Sequence, residues 1–128
     1  MVATSELIDL TGLTGRPVVA SSVGAMLALE LAAVRPEAFS LLVLVAPLVW
    51  PIPDHGLDTR IHRVTCPVHL VWGEADRLAP PPYLDFFAAS LPNVSGTSVI
   101  AGAGHMAEWD RPDEVAAIAT RSIEQTGS

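Results

Sequence analysis

Three side chains that together could hydrolyse an ester occur in separate segments of the 128-residue chain, in the order Ser22, Asp76 and His105. A serine hydroxyl becomes a nucleophile when an imidazole takes its proton, and a carboxylate can hold that imidazole in the required tautomer. Each of the three residues follows a segment that is predicted to be a β-strand. Because parallel strands end at a common edge, the three side chains are predicted to meet there.

Ser22 lies in a turn of small residues, Ala20–Gly24, between a predicted strand and a predicted helix. A serine on such a sharp turn has a strained backbone, and small residues two positions away are expected to avoid collisions with the adjoining strand and helix. Ser22 is the central residue of the turn, and it, rather than Ser21, is the candidate nucleophile. Taken alone, an ordinary small-residue turn explains the same five residues equally well.

The candidate acid and base lie in two further turns. Asp76 belongs to Trp72–Leu78 (WGEADRL), although an aspartate after a strand also commonly bonds its own backbone. Glu74 is the competing carboxylate. His105 closes the glycine-rich run Ala101–His105 and is the candidate base. The other histidines, which show no metal-ligand spacing, are His55, His62 and His69.

Hydrophobic patterning predicts the elements that would position these residues. The predicted strands cover residues 16–21, 41–46, 67–72 and 97–101. The predicted helices cover residues 4–13, 23–34, 80–91 and 112–123. Residues 47–65 contain several prolines and are predicted to be a linker. This order predicts an α/β fold with three layers (helices, sheet, helices) and a short, mostly parallel sheet of about four strands. It also predicts one domain over residues 1–128.

The three chemical segments together resemble the α/β-hydrolase family. Ala20–Gly24 is similar to the family's G-x-S-x-G turn, with alanine in place of the first glycine. Trp72–Pro80 is similar to its W-G-x-x-D-x-[LV]-x-P segment, and Ala101–His105 is similar to its G-x-G-H segment. The resemblance implies that Ser22 attacks, His105 is the general base and Asp76 orients it. The backbone N–H of Val23 would then bind the oxyanion.

The resemblance covers the C-terminal half of that fold. Relatives have strands before the serine turn, an early loop that gives a second oxyanion donor, and often a cap where residues 47–65 stand here. We therefore expect a truncated fold with weak activity, since one oxyanion donor is worth roughly 10²–10³ in turnover. We also expect a homodimer that covers the sheet edge near Val18 and Val19.

Composition excludes several other classes of function. The net charge is −7, and the seven basic residues, all arginines, are scattered, which argues against nucleic acid as a partner. No apolar run reaches the roughly 20 residues of a membrane span. The single cysteine, Cys66, and the absence of an export signal in residues 1–6 favour the cytoplasm. Neither a cofactor nor a metal ion is predicted.

The leading hypothesis is thus a serine hydrolase of small carboxylic esters. A serine at the turn argues against dehalogenase and epoxide-hydrolase chemistry, for which similar families use aspartate. Cofactor-free haloperoxidase, carbon–carbon bond hydrolase and thioesterase chemistry stay open. Two alternatives are a catalytically inactive oligomeric binding or scaffold protein with this fold, and a fragment or minimal version of a longer enzyme.

Overall fold

The computed structural model describes residues 15–47, 61–78 and 82–126. Four parallel strands form one sheet, in the order β1-β2-β3-β4. The strands are β1 (Arg16–Ser21), β2 (Phe39–Val45), β3 (Val68–Gly73) and β4 (Val94–Ile100). The helices are α1 (Ser22–Val34), α2 (Pro82–Ser90), α3 (Ala107–Asp110) and α4 (Pro112–Thr126), with a 3₁₀ turn at Ile61–Arg63.

Strand β2 is buried on both faces, as its unbroken apolar run predicts. Leu42 and Leu44 point into one hydrophobic cluster, and Leu41, Val43 and Val45 point into the other. Alternate residues of a strand face opposite sides of a sheet, so this one strand contributes to two cores. The predicted three-layer α/β fold is confirmed.

Different helices cover the two faces of the sheet. Helices α1 and α2 supply residues to the cluster that contains Leu42, whereas α3 and α4 supply residues to the cluster that contains Val43. In the first cluster the rings of Trp72 and Phe87 lie 6.0 Å apart between centroids. Helix α1 is buried over most of its surface, in accordance with its composition of alanine, leucine and methionine. Among the described residues no helix is long and apolar enough to span a bilayer.

The predicted boundaries differ from the observed ones in a few places. Strand β4 begins three residues before the predicted Thr97, and the four-residue helix α3 is absent from the prediction. Such a short helix has too few residues to show a hydrophobic period. The predicted helix over residues 4–13 and residues 48–60 of the predicted linker lie outside the described residues.

Cys66 is a buried thiol two residues before β3. Burial raises the pKa of this thiol above its ordinary value, because an apolar environment disfavours the thiolate. We therefore expect iodoacetamide at pH 8 to alkylate the folded protein much more slowly than the protein unfolded in guanidinium chloride. Mass spectrometry over time measures both rates, and equal rates would contradict a buried, protonated thiol.

Candidate active site

Ser22 lies at the junction between β1 and α1, in a strained backbone conformation. Its φ angle is 52°, in the left-handed region that non-glycine residues rarely adopt. Strain of this kind costs on the order of 1–2 kcal/mol and is concentrated at functional sites. The sharp turn from strand to helix is therefore present at Ser22.

The expected collision of a side chain at position 24 with the adjoining strand β1 is wrong for this chain. Apart from its chain neighbours and the adjacent backbone of its own helix, a Cβ atom added to Gly24 would have no heavy atom of the described residues within 4 Å, whereas the motif was expected to need glycine to avoid a collision with the strand as well. Gly24 lies in the exposed first turn of α1. The strain at Ser22 comes from its own backbone angles and not from crowding around Gly24.

Asp76 lies in the turn that follows β3, and its side chain is completely buried. One carboxylate oxygen, Oδ1, accepts a hydrogen bond from the backbone N–H of Leu78 at 2.9 Å. This is the local turn bond that a strand-end aspartate commonly makes. It leaves the second oxygen, Oδ2, for another partner.

His105 joins Asp76 to Ser22. Its Nδ1 lies 2.8 Å from Asp76 Oδ2, and its Nε2 lies 2.9 Å from Ser22 Oγ. A carboxylate can only accept, so Nδ1 carries the hydrogen and donates it to Asp76. In the neutral imidazole Nε2 is then the acceptor, and the Ser22 hydroxyl donates to it. The structure thus brings the three predicted residues into one chain of hydrogen bonds.

The residues around these hydrogen bonds limit the access of water to the Asp76 carboxylate. The His105 side chain is 10% exposed and that of Asp76 is 0% exposed. The carboxylate that faces the imidazole is therefore shielded, and its hydrogen bond to the ring is stronger than the same bond in water. Glu74, the competing carboxylate, does not take this position.

Two residues that sequence reasoning did not single out hold the turns of Asp76 and His105 together. Gly73 lies so close to the next turn that an added Cβ would be 2.2 Å from the carbonyl oxygen of Gly104 and 2.6 Å from that of Ala103. Asp110 Oδ2 accepts the N–H of Gly104 at 2.8 Å, next to His105. Only the Trp-Gly pair of the motif could have indicated a special role for Gly73. No pattern in the sequence indicates that Asp110 binds the turn of His105.

We expect Gly73→Ala to destabilise the protein by about 1–3 kcal/mol or more, because both contacts of the new methyl group are with backbone atoms that cannot rotate away. Gly24→Ala is the matched control. Its methyl group enters open space within a helix, where alanine is better than glycine by about 0.5–1 kcal/mol. Urea unfolding followed by circular dichroism measures both free energies. A Gly73→Ala protein as stable as Gly24→Ala would contradict the close approach.

The backbone N–H of Val23, the predicted oxyanion donor, belongs to the first turn of α1. The first N–H groups of a helix have no partner within the helix, and the helix dipole favours negative charge there. Val23 directly follows Ser22, and the role of its N–H as oxyanion donor stays a prediction. Within residues 15–47, 61–78 and 82–126, no group of three or more His, Cys, Asp or Glu side chains is arranged to hold a metal ion.

Comparison with solved structures identifies the architecture. An alpha/beta hydrolase enzyme from the metagenome of sediments of the Mar Chica lagoon in Morocco superposes with a TM-score of 0.85 at 19% identity, over 98% of this chain and 68% of that one. The chain has the α/β-hydrolase fold.

Two further enzymes share the α/β-hydrolase fold with this chain. A monoacylglycerol lipase from Paleococcus ferrophilus is 15% identical, with a TM-score of 0.77 over 95% of this chain and 73% of that one. A carboxylesterase from Bacillus subtilis is 13% identical, with a TM-score of 0.77 over 94% of this chain and 64% of that one. No protein-family model matches the sequence, and no curated protein matches it. The evidence for the α/β-hydrolase fold is therefore structural.

Proposed function

We propose that the chain is a serine hydrolase of small carboxylic esters, with Ser22 as nucleophile, His105 as general base and Asp76 as the acid that orients the base. One observation carries the proposal. Ser22 Oγ, the His105 ring and Asp76 Oδ2 form a continuous hydrogen-bonded chain with links of 2.9 and 2.8 Å, at the carboxyl end of a parallel sheet. This is the arrangement that lets a serine attack a carbonyl carbon.

In this mechanism His105 Nε2 takes the hydroxyl proton as Ser22 Oγ bonds to the carbonyl carbon of the ester. The imidazolium that forms is stabilised by the Asp76 carboxylate, which stays ionised. His105 then gives the proton to the departing alcohol, and the acyl group remains on Ser22. A water molecule, deprotonated by His105, then attacks the acyl group. His105 returns that proton to Ser22 Oγ as the bond between Oγ and the acyl carbon breaks, which releases the carboxylic acid.

The tetrahedral intermediate carries a negative oxygen that needs donors. The N–H of Val23 at the start of α1 supplies one, supported by the helix dipole. Among the described residues Val23 is the one donor that we assign, and loss of one oxyanion donor costs roughly 10²–10³ in turnover. Small, activated esters, whose leaving group needs little help, are therefore the substrates that we propose.

A fluorophosphonate probe tests the proposal, because it phosphonylates a serine only where a base activates the hydroxyl. We expect peptide mapping to find the label on Ser22, with loss of labelling in His105→Ala. Ser98 is an internal comparison, since its Oγ lies 2.9 Å from His69 Nε2 but no described carboxylate bonds that histidine. A folded sample that stays unlabelled at Ser22 would favour the alternative, an inactive binding or scaffold protein with this fold.

The proposal includes a homodimer. Within the described residues β1 pairs only with β2, and Val19 in β1 is 48% exposed. An uncovered edge strand is a template for pairing with another strand. A two-fold axis beside β1 would pair the two edges and bury Val19 of both copies. Light scattering at micromolar concentration should give a dimer, and a monomer at that concentration would overturn this part of the proposal.

A cytoplasmic location also belongs to the proposal. Its support is Cys66, which is a free thiol in the structure. A reducing compartment keeps such a thiol free. Fractionation of cells that produce the protein would test the location.

A further inference from the structure

A cavity of about 230 Å³ lies on the face of the sheet that α4 covers, away from Ser22. Its lining residues are His69, Ser98, Ile118, Arg121, Ser122 and Gln125. His69 lies near the start of β3, four residues before Gly73 at the end of that strand. A strand rises about 3.3 Å per residue, so the cavity lies about 13 Å along the strand from the edge that carries Asp76.

A glycine in β4 leaves space for the His69 side chain, which forms one wall of this cavity. Gly96 in β4 is the register partner of His69, and an added Cβ on Gly96 would lie 2.9 Å from His69 Nδ1 and Cε1. A glycine inside a strand weakens it and often marks a close approach. Here the imidazole occupies the place of the missing side chain, where its Nε2 lies 2.9 Å from Ser98 Oγ. The ring is therefore held in one orientation at the cavity wall.

Arg121 gives the cavity a positive charge. Its Nε makes a long hydrogen bond of 3.4 Å to the Ala117 carbonyl oxygen. Among the described residues it forms no ion pair, not even with Glu124 one turn further along α4. Burial and the nearby Arg121 guanidinium lower the pKa of His69, so this ring is neutral at pH 7. Among the described residues that line the cavity, Arg121 is the one charged group at that pH, in a chain whose net charge is −7.

We propose that this cavity binds a small organic carboxylate, separately from the hydrolase site. A planar guanidinium matches a carboxylate with two parallel hydrogen bonds, and the Gln125 amide on the same wall offers a further donor. Ile118 provides an apolar contact for a short alkyl group. The volume of about 230 Å³ is below the roughly 300–1,000 Å³ of pockets for drug-sized ligands, which favours a smaller ligand.

Titration of the full chain with sodium acetate and sodium butyrate tests the proposal, with ¹H–¹⁵N NMR spectra at constant ionic strength. We expect saturable shifts of the amides of His69, Ser98 and residues 121–125. Arg121→Gln should weaken binding by about tenfold or more, since it removes a charge-assisted hydrogen bond. Arg63→Gln is the matched control, because Arg63 is exposed on the 3₁₀ turn and its substitution makes the same change in net charge.

Three results would overturn the proposal. The first is amide chemical shifts that stay linear in acetate concentration. The second is equal carboxylate affinities of the Arg121→Gln and Arg63→Gln variants in folded samples. The third is saturable binding of inorganic phosphate without saturable binding of acetate or butyrate. The spectra themselves report whether each variant is folded. None of these measurements depends on Ser22 being a nucleophile.

Discussion

Ser22→Ala is expected to reduce hydrolysis of p-nitrophenyl acetate to the rate in buffer. The variant keeps the His105–Asp76 pair but removes the hydroxyl that hydrogen-bonds to the imidazole, so no acyl group can form on residue 22. Loss of the nucleophile costs about 10⁶ in turnover in an efficient serine hydrolase, and the loss here is on the order of 10³ or more because the parent starts from a lower rate. Initial rates under matched conditions measure the difference.

Ser95→Ala is the control for this change, because Ser95 is an exposed serine on β4. It should hydrolyse the ester as fast as the parent. Alanine at position 22 removes the hydroxyl and is expected to adopt the φ of 52° no more easily than serine, so both variants should be compared by circular dichroism first. Equal rates for Ser22→Ala and the parent would show that another group does the chemistry.

The second large effect is expected from Asp76→Asn. The same change costs about 10⁴ in an efficient serine protease, and here it should lower turnover by about 10²–10³, toward the same background rate. The Leu78 N–H already binds Oδ1, so the asparagine amide is expected to turn its oxygen to Leu78 and its NH₂ group to His105. His105 Nδ1 must then accept, and the ring hydrogen moves to Nε2. A protonated Nε2 cannot take the proton of Ser22.

Asp85→Asn provides the matched control, since Asp85 is exposed on α2. It makes the same chemical change on an exposed side chain outside the hydrogen-bonded Ser22–His105–Asp76 chain and should keep the parent rate. NMR of the His105 ring nitrogens adds an independent measurement, because the hydrogen should move from Nδ1 to Nε2 only in Asp76→Asn. A loss of less than tenfold in Asp76→Asn would mean that the carboxylate does not set the tautomer.

Much of the architecture follows from patterns that extend over whole elements. The run from Leu41 to Val45 has no polar residue, which only a strand covered on both faces can bury. The mix of alanine and leucine in α1 likewise predicts a buried helix. Once parallel strands are predicted, their shared carboxyl edge brings Ser22 and His105 together although 83 positions separate them in the chain.

The features that sequence reasoning missed depend on contacts between distant residues. The close approach of Gly73 to the Gly104 carbonyl results from how two turns pack, and neither turn alone shows it. Asp110 lies in a four-residue helix with no detectable period, so its bond to the Gly104 N–H leaves no local pattern. His69 was assigned simply to a strand, because the space above Gly96 appears only when β3 and β4 are in register.

An acyl group on the Ser22 oxygen would be the most direct sign that Ser22, His105 and Asp76 act together as a hydrolase. The protein is mixed with p-nitrophenyl acetate, quenched in acid within the first turnover, and digested for mass spectrometry. We expect one acetyl group per chain on the peptide that contains Ser22, and none in Ser22→Ala or His105→Ala. Turnover of the ester with no acetyl group on that peptide, or with the group on another residue, would contradict the assignment.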